Sequence, residues 1–153
     1  MPGTMAKERR AVTAAGRRVG YIFSIAINAV ILYGANRWPG WDVVPFLTSR
    51  VPEVLGIINA SLIAGIVANL VYVLWDPPRL RALGDLVTLS IGIAAMTQTW
   101  QVFPFDFSSY SFNWELVTRI LIVVGIAGSA IAIIVALVTL VRGRPREDEI
   151  QSF

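Results

Sequence analysis

The chain has 153 residues, 56% of them hydrophobic and 15% charged, with a net charge of +3 and a mean hydropathy of +0.65. A soluble domain of this size needs far more polar surface, so the bilayer has to be the solvent. Cysteine and histidine are both absent, which excludes disulfides, thiol redox chemistry, imidazole bases and thiolate or histidine ligation of metal and haem.

A hydrocarbon core about 30 Å thick takes about 20 helical residues to cross, and four apolar runs reach that length, at about 19–36, 53–75, 80–100 and 115–141. The fold class they imply is an all-α membrane protein, a four-transmembrane-helix bundle. Residues 1–18 then form a basic tail, 19–141 the transmembrane domain with interfacial connections at 37–52 and 101–114, and 142–153 a charged tail.

The first run is preceded by Lys7, Arg9, Arg10, Arg17 and Arg18. A basic leader before an apolar stretch also suits a signal peptide, but the run is long for one, contains Asn28 and lacks a small-x-small cleavage pattern, so an uncleaved span is expected. The connection after it carries Trp38 and Trp41, which with Trp75, Trp100 and Trp114 form the aromatic anchors of the two membrane interfaces. The second run has two rows of small residues at helical spacing, Gly56, Ala60, Ala64 and Ala68 beside Ser61, Gly65 and Asn69. Small residues let helix backbones approach closely in lipid, which predicts that this span is the most buried of a compact bundle or the seam of a homodimer.

Between the second and third runs stand Asp76, Pro77, Pro78, Arg79 and Arg81. Asp76 is placed to cap the third span, with proline in its first turn. Arg142, Arg144 and Arg146 follow the fourth run, so ten of the thirteen basic residues lie at one end of the spans. By the positive-inside rule both termini are cytoplasmic, and the expected location is the plasma (inner) membrane of a bacterium. The basic charge serves orientation and anionic lipid, and no nucleic-acid partner is expected.

Trp41-Asp42-Val43-Val44-Pro45-Phe46 and Trp100-Gln101-Val102-Phe103-Pro104-Phe105 both read W-x-V-x-P-F. That repeat suggests two tandem helical hairpins related by an axis along the membrane normal. The alternative is chance, since aromatic residues and proline are common in any interfacial loop.

Intramembrane polar residues fall at two depths. Asp85 shares one with Asn69 and Ser24; it reads as a proton or cation site, or as a structural carboxylate beside Arg81 and Asn69. Arg119 shares the other with Asn59 and Gln98, and reads as an anion site or as a snorkelling arginine paired with Glu115. Asp42 and Asp106 are loop acids with no accompanying base or nucleophile. No catalytic signature, metal set or cofactor motif is present, so an enzyme is not expected.

The segments Trp38-Pro39-Gly40-Trp41-Asp42-Val43-Val44-Pro45-Phe46-Leu47-Thr48 and Trp100-Gln101-Val102-Phe103-Pro104-Phe105-Asp106-Phe107 resemble those of uncharacterised small four-span integral membrane proteins of high-GC Gram-positive bacteria. No activity follows from that likeness. In size the chain is also similar to the small multidrug resistance family, but the membrane-embedded glutamate which that family has in its first span is missing here. The pore motifs of the similarly sized fluoride channels are not visible either. The first functional expectation is an accessory or assembly subunit of a membrane complex, contacting membrane lipids and a larger partner or another copy of itself. The alternative is a small dimeric transporter or channel using Asp85.

Overall fold

The computed structural model describes residues 2–142. Among them the fold is all-α: helices α1 (Pro2–Asn36), α2 (Pro52–Leu74), α3 (Pro78–Val102) and α4 (Trp114–Arg142), with a 3-10 turn at Trp41–Val43. All four are long and apolar enough to cross a membrane. The chain is thus a multi-pass helical membrane protein. Of the charged tail at 142–153, residues 143–153 lie outside the described part, Arg144 and Arg146 among them.

Three of the helices begin for a local reason. Pro52 and Pro78 sit in the first turns of α2 and α3, where a missing N–H costs nothing. Asn113 Oδ1 accepts the backbone N–H of Leu116 at 3.0 Å, which satisfies one of the orphan donors at the start of α4. The basic segment before the first span belongs to α1 itself, because Ala, Lys, Glu and Arg sustain a helix from Pro2 onward. A helix of 35 residues is about 52 Å long, so part of α1 extends beyond the hydrocarbon.

Successive helices pack as neighbours, α1 on α2, α2 on α3 and α3 on α4, and among the described residues nothing closes α4 back onto α1. The bundle is an open row. One end, here the tail end, holds the start of α1, the short link between α2 and α3 and the end of α4; the other, the connection end, holds both longer connections.

Single glycines set the close contacts of the row. A Cβ at Gly65 would lie 2.8 Å from the Asn28 amide nitrogen on α1, one at Gly92 would lie 3.9 Å from Ser61 Oγ on α2, and one at Gly125 would lie 2.7 Å from Met96 Sδ on α3. Gly84 is the tightest, since a Cβ there would run into the Tyr72 hydroxyl.

Two sequence expectations about packing need correction. Gly56 and Ala60 are exposed, with open space around Gly56, whereas the half-buried face of α2 carries Ser61, Ala64, Gly65, Ala68 and Asn69. Nor is α2 the most buried helix of a compact bundle. Buried residues fall as Val54 and Tyr72 on α2, Ala82 and Ala95 on α3, and Ile122 and Ala136 on α4. The reason is the open row, in which α2 and α3 each have neighbours on both sides.

The two connections meet. Leu47 and Phe105 form an isolated antiparallel bridge, with Thr48 N–H donating to Pro104 O at 3.1 Å and Asp106 N–H to Phe46 O at 2.9 Å. The two P-F steps of the W-x-V-x-P-F segments therefore pair with one another. Their tryptophans differ in setting: Trp41 opens the 3-10 turn after Gly40, at φ 90°, and Trp100 lies within the last turns of α3.

Candidate functional site

At the tail end a groove of about 540 Å³ opens between α1, α2 and α3, lined among others by Ser24, Asn69, Tyr72, Arg81 and Asp85. The structure thus places Asp85, Asn69 and Ser24 on the walls of one groove. A hydrogen-bonded cluster closes its tail-end rim. Arg17 Nε and the Tyr21 hydroxyl, one turn apart on α1, both donate to Asp76 Oδ2, at 3.1 and 3.2 Å. An Arg81 guanidinium nitrogen donates to the Tyr21 hydroxyl oxygen at 3.1 Å and lies 3.8 Å from the same Asp76 oxygen.

The Tyr72 hydroxyl is 3.1 Å from Asp85 Oδ1 and 3.0 Å from the Arg81 carbonyl oxygen. Its one proton serves either acceptor. The rings of Tyr21 and Tyr72 meet edge to face at 5.4 Å. Only the absence of a side chain at Gly84 lets Tyr72 lie across α3 in this way.

Two sequence expectations are altered here. Asp76 does not cap α3, whose N-cap is Pro77 without a side-chain cap, because its carboxylate is drawn across to Arg17 and Tyr21. Asn69 donates to Gly65 O at 2.7 Å, and the hydroxyl bonded to Asp85 belongs to Tyr72. Tyr21 and Tyr72 are structural parts of the cluster that the sequence did not single out as site residues. Their aromatic and hydroxyl character was visible in sequence, but nothing local showed that Gly84 would admit one of them.

Electrostatically the cluster balances itself, two guanidinium groups against two carboxylates. Desolvation pushes the Asp76 carboxyl up, but the hydrogen bond and charge of Arg17, the Tyr21 hydroxyl and the Arg81 charge outweigh it and hold the group below its usual value. On the other side of α3, a second cleft of about 380 Å³ lies against α4. Arg81 and Asp85 border both clefts.

At the connection end Arg119, Asn59 and Gln98 do not converge. Arg119 pairs with Glu115 at 3.0 Å and lays its guanidinium over the rings of Phe103, at 4.1 Å, and Trp100, at 4.9 Å. Phe103 takes up the left-handed backbone at φ 43° where α3 ends. Asn59 exchanges amide hydrogen bonds with Asn36 of α1, at 2.7 and 2.8 Å, and Gln98 donates to Glu53 O at 2.7 Å.

Arg50, in the connection between α1 and α2, ties two helix ends together. It bonds Glu53 at 3.0 Å in the first turn of α2 and donates to Val102 O at 2.7 Å at the end of α3. A cation at a helix C-terminus is favoured by the dipole. Of the tryptophans, Trp38 and Trp75 are the most exposed, at 73% and 69%, and Trp114 is exposed at the start of α4. Trp100 is partly covered by Arg119, and Trp41 is half-buried.

No known protein family, curated protein or solved structure matches this chain.

Proposed function

We propose that this protein is a non-catalytic accessory or assembly subunit of a larger membrane complex, sited in a bacterial plasma membrane with both termini cytoplasmic. One observation carries the reading: among the described residues the row of helices is open, and the small residues Gly56 and Ala60 of α2 are exposed, with open space around Gly56. In lipid such faces are where another helix packs. Supporting it, the charges of the groove cluster, Arg17 and Arg81 against Asp76 and Asp85, are balanced within the chain, which suits a scaffold.

Purification from native membranes in mild detergent tests this reading. A larger protein is expected at fixed stoichiometry, and replacing Gly56 and Ala60 together by leucine should release it while the melting temperature of the isolated chain stays within a few degrees. Recovery of this chain alone, or only as a homodimer, would overturn the proposal.

A transporter or channel acting through Asp85 is the second reading, favoured by the position of that carboxylate between two clefts on opposite sides of α3. Here Asp85→Asn should abolish proton-coupled flux in proteoliposomes without loss of folding. If the substitution alters only melting or expression, Asp85 is structural.

A further inference from the structure

Two cavities adjoin at the connection end. The first, about 380 Å³, is walled partly by polar groups of the connection between α3 and α4, among them Asp106, Ser108, Ser111 and Asn113. The second, about 490 Å³, continues along the first turns of α4 past Val117, Thr118 and Leu121, with Phe46 opposite. Phe105, Phe107, Tyr110 and Trp114 line both. A polar chamber and an apolar slot along α4 thus lie side by side on shared aromatic residues, and together they have the outline of a lipid molecule, headgroup in one and acyl chain in the other.

We infer that this paired cavity binds one zwitterionic lipid whose headgroup ends in an ammonium group, its acyl chain lying in the slot along α4. Charge and ring chemistry select that headgroup. The chamber is lined by two carboxylates, Asp106 and Glu115. Glu115 is paired with Arg119, whose guanidinium is stacked over Phe103 and Trp100, so Asp106 supplies the net negative charge.

Hydrogen bonds from Ser108 hold the Asp106 carboxyl below its usual range, and it is ionised at neutral pH. Tyr110, Phe112 and Trp114 are exposed here, Phe112 and Trp114 meeting edge to face at 5.1 Å, and such aromatic groups attract a cation. The Asn113 amide nitrogen, whose partner oxygen is used on Leu116, and the Ser111 hydroxyl are neutral donors suited to the phosphate.

The slot is held in shape by its own rings. Phe107 stacks between Phe46, at 5.6 Å, and Phe105, at 5.8 Å, and meets Tyr110 edge to face at 6.4 Å. The bridge between Leu47 and Phe105 fixes the first connection against the second, so both walls are set before a chain enters.

The test is native mass spectrometry of the full chain, delipidated in detergent and titrated with phosphatidylethanolamine or phosphatidylglycerol of identical acyl chains. One phosphatidylethanolamine should be retained in preference to phosphatidylglycerol by about fivefold, the size of a single exposed cation–π or charge contact. Asp106→Asn, which keeps the Ser108 hydrogen bond, should remove that preference. Leu121→Trp should reduce retention of both lipids, and Ile131→Trp, at a lipid-facing site further along α4, should change neither.

Melting temperatures establish that each variant is folded, and Leu121→Phe replaces Leu121→Trp if the larger ring destabilises the chain. Equal retention of the two lipids by the wild type would overturn the proposal. So would full retention in the folded Leu121 variant, or a dimer that replaces lipid and is lost with the same substitution.

Discussion

Asp76 shows how a single side chain takes its role from across the fold. In sequence it stands where an N-cap belongs, but Arg17 and Tyr21 lie far away along the chain and close in space, and their combined pull exceeds that of a helix end. Its pKa is lowered in the folded protein, so its stabilising contribution is fully present above the unfolded carboxylate value and is lost as pH falls through the folded one. Thermal melts in detergent should therefore show stability declining on acidification below the ordinary carboxylate range. Asp76→Asn should flatten that decline and cost about 1 kcal/mol at neutral pH, a modest figure because the cluster is partly exposed. A wild-type acid limb identical to that of the variant would remove Asp76 from the cluster's energetics. Arg119 teaches a related lesson: its pairing with Glu115 is readable one turn away, whereas its stacking on Phe103 depends on a left-handed residue that no propensity would favour.

Among the helices, contact is decided at individual glycines. The sequence displayed two small-residue rows on α2, but a row cannot say which helix, if any, lies against it, and the half-buried face takes Ser61, Gly65 and Asn69 from one row and Ala64 and Ala68 from the other. Gly84→Ala should cost about 1–3 kcal/mol, as overpacking does, because Tyr72 is buried and hydrogen-bonded and has little room to withdraw. In a Tyr72→Phe background the same change should cost less but not nothing, since the nearest colliding atom is gone while the ring carbon Cζ, 2.8 Å from the added Cβ, remains; additivity in that cycle would place Tyr72 elsewhere. Gly125→Ala should be close to neutral by contrast. There the obstructing atom belongs to a flexible methionine, and the gain in helix propensity of about 1 kcal/mol offsets moving it.

For the molecule as a whole the distinctive property is the open row. The chain has no native cysteine, so introduced pairs report distances without background. Asn28→Cys with Gly65→Cys should cross-link within one chain through a short bifunctional reagent, because these positions touch across α1 and α2. Ile27→Cys with Val123→Cys, on exposed positions of α1 and α4, should not. Efficient intramolecular cross-linking of the second pair would mean a closed bundle. By itself the sequence determined the number of helices and much of their extent, because crossing a bilayer demands about 20 apolar residues whatever they pack against, and the prolines beside α2 and α3 mark boundaries by local backbone chemistry alone. It also brought Asp85, Asn69 and Ser24 to one depth, since depth follows from position along a span. Only the tertiary structure decided which faces meet, that Tyr72 and not Asn69 reaches Asp85, that the two P-F segments pair, and that α4 does not return to α1. Those outcomes depend on rotation of each helix about its axis and on contacts between residues distant in the chain, and an apolar run that is hydrophobic nearly all round carries no periodic signal to set that rotation.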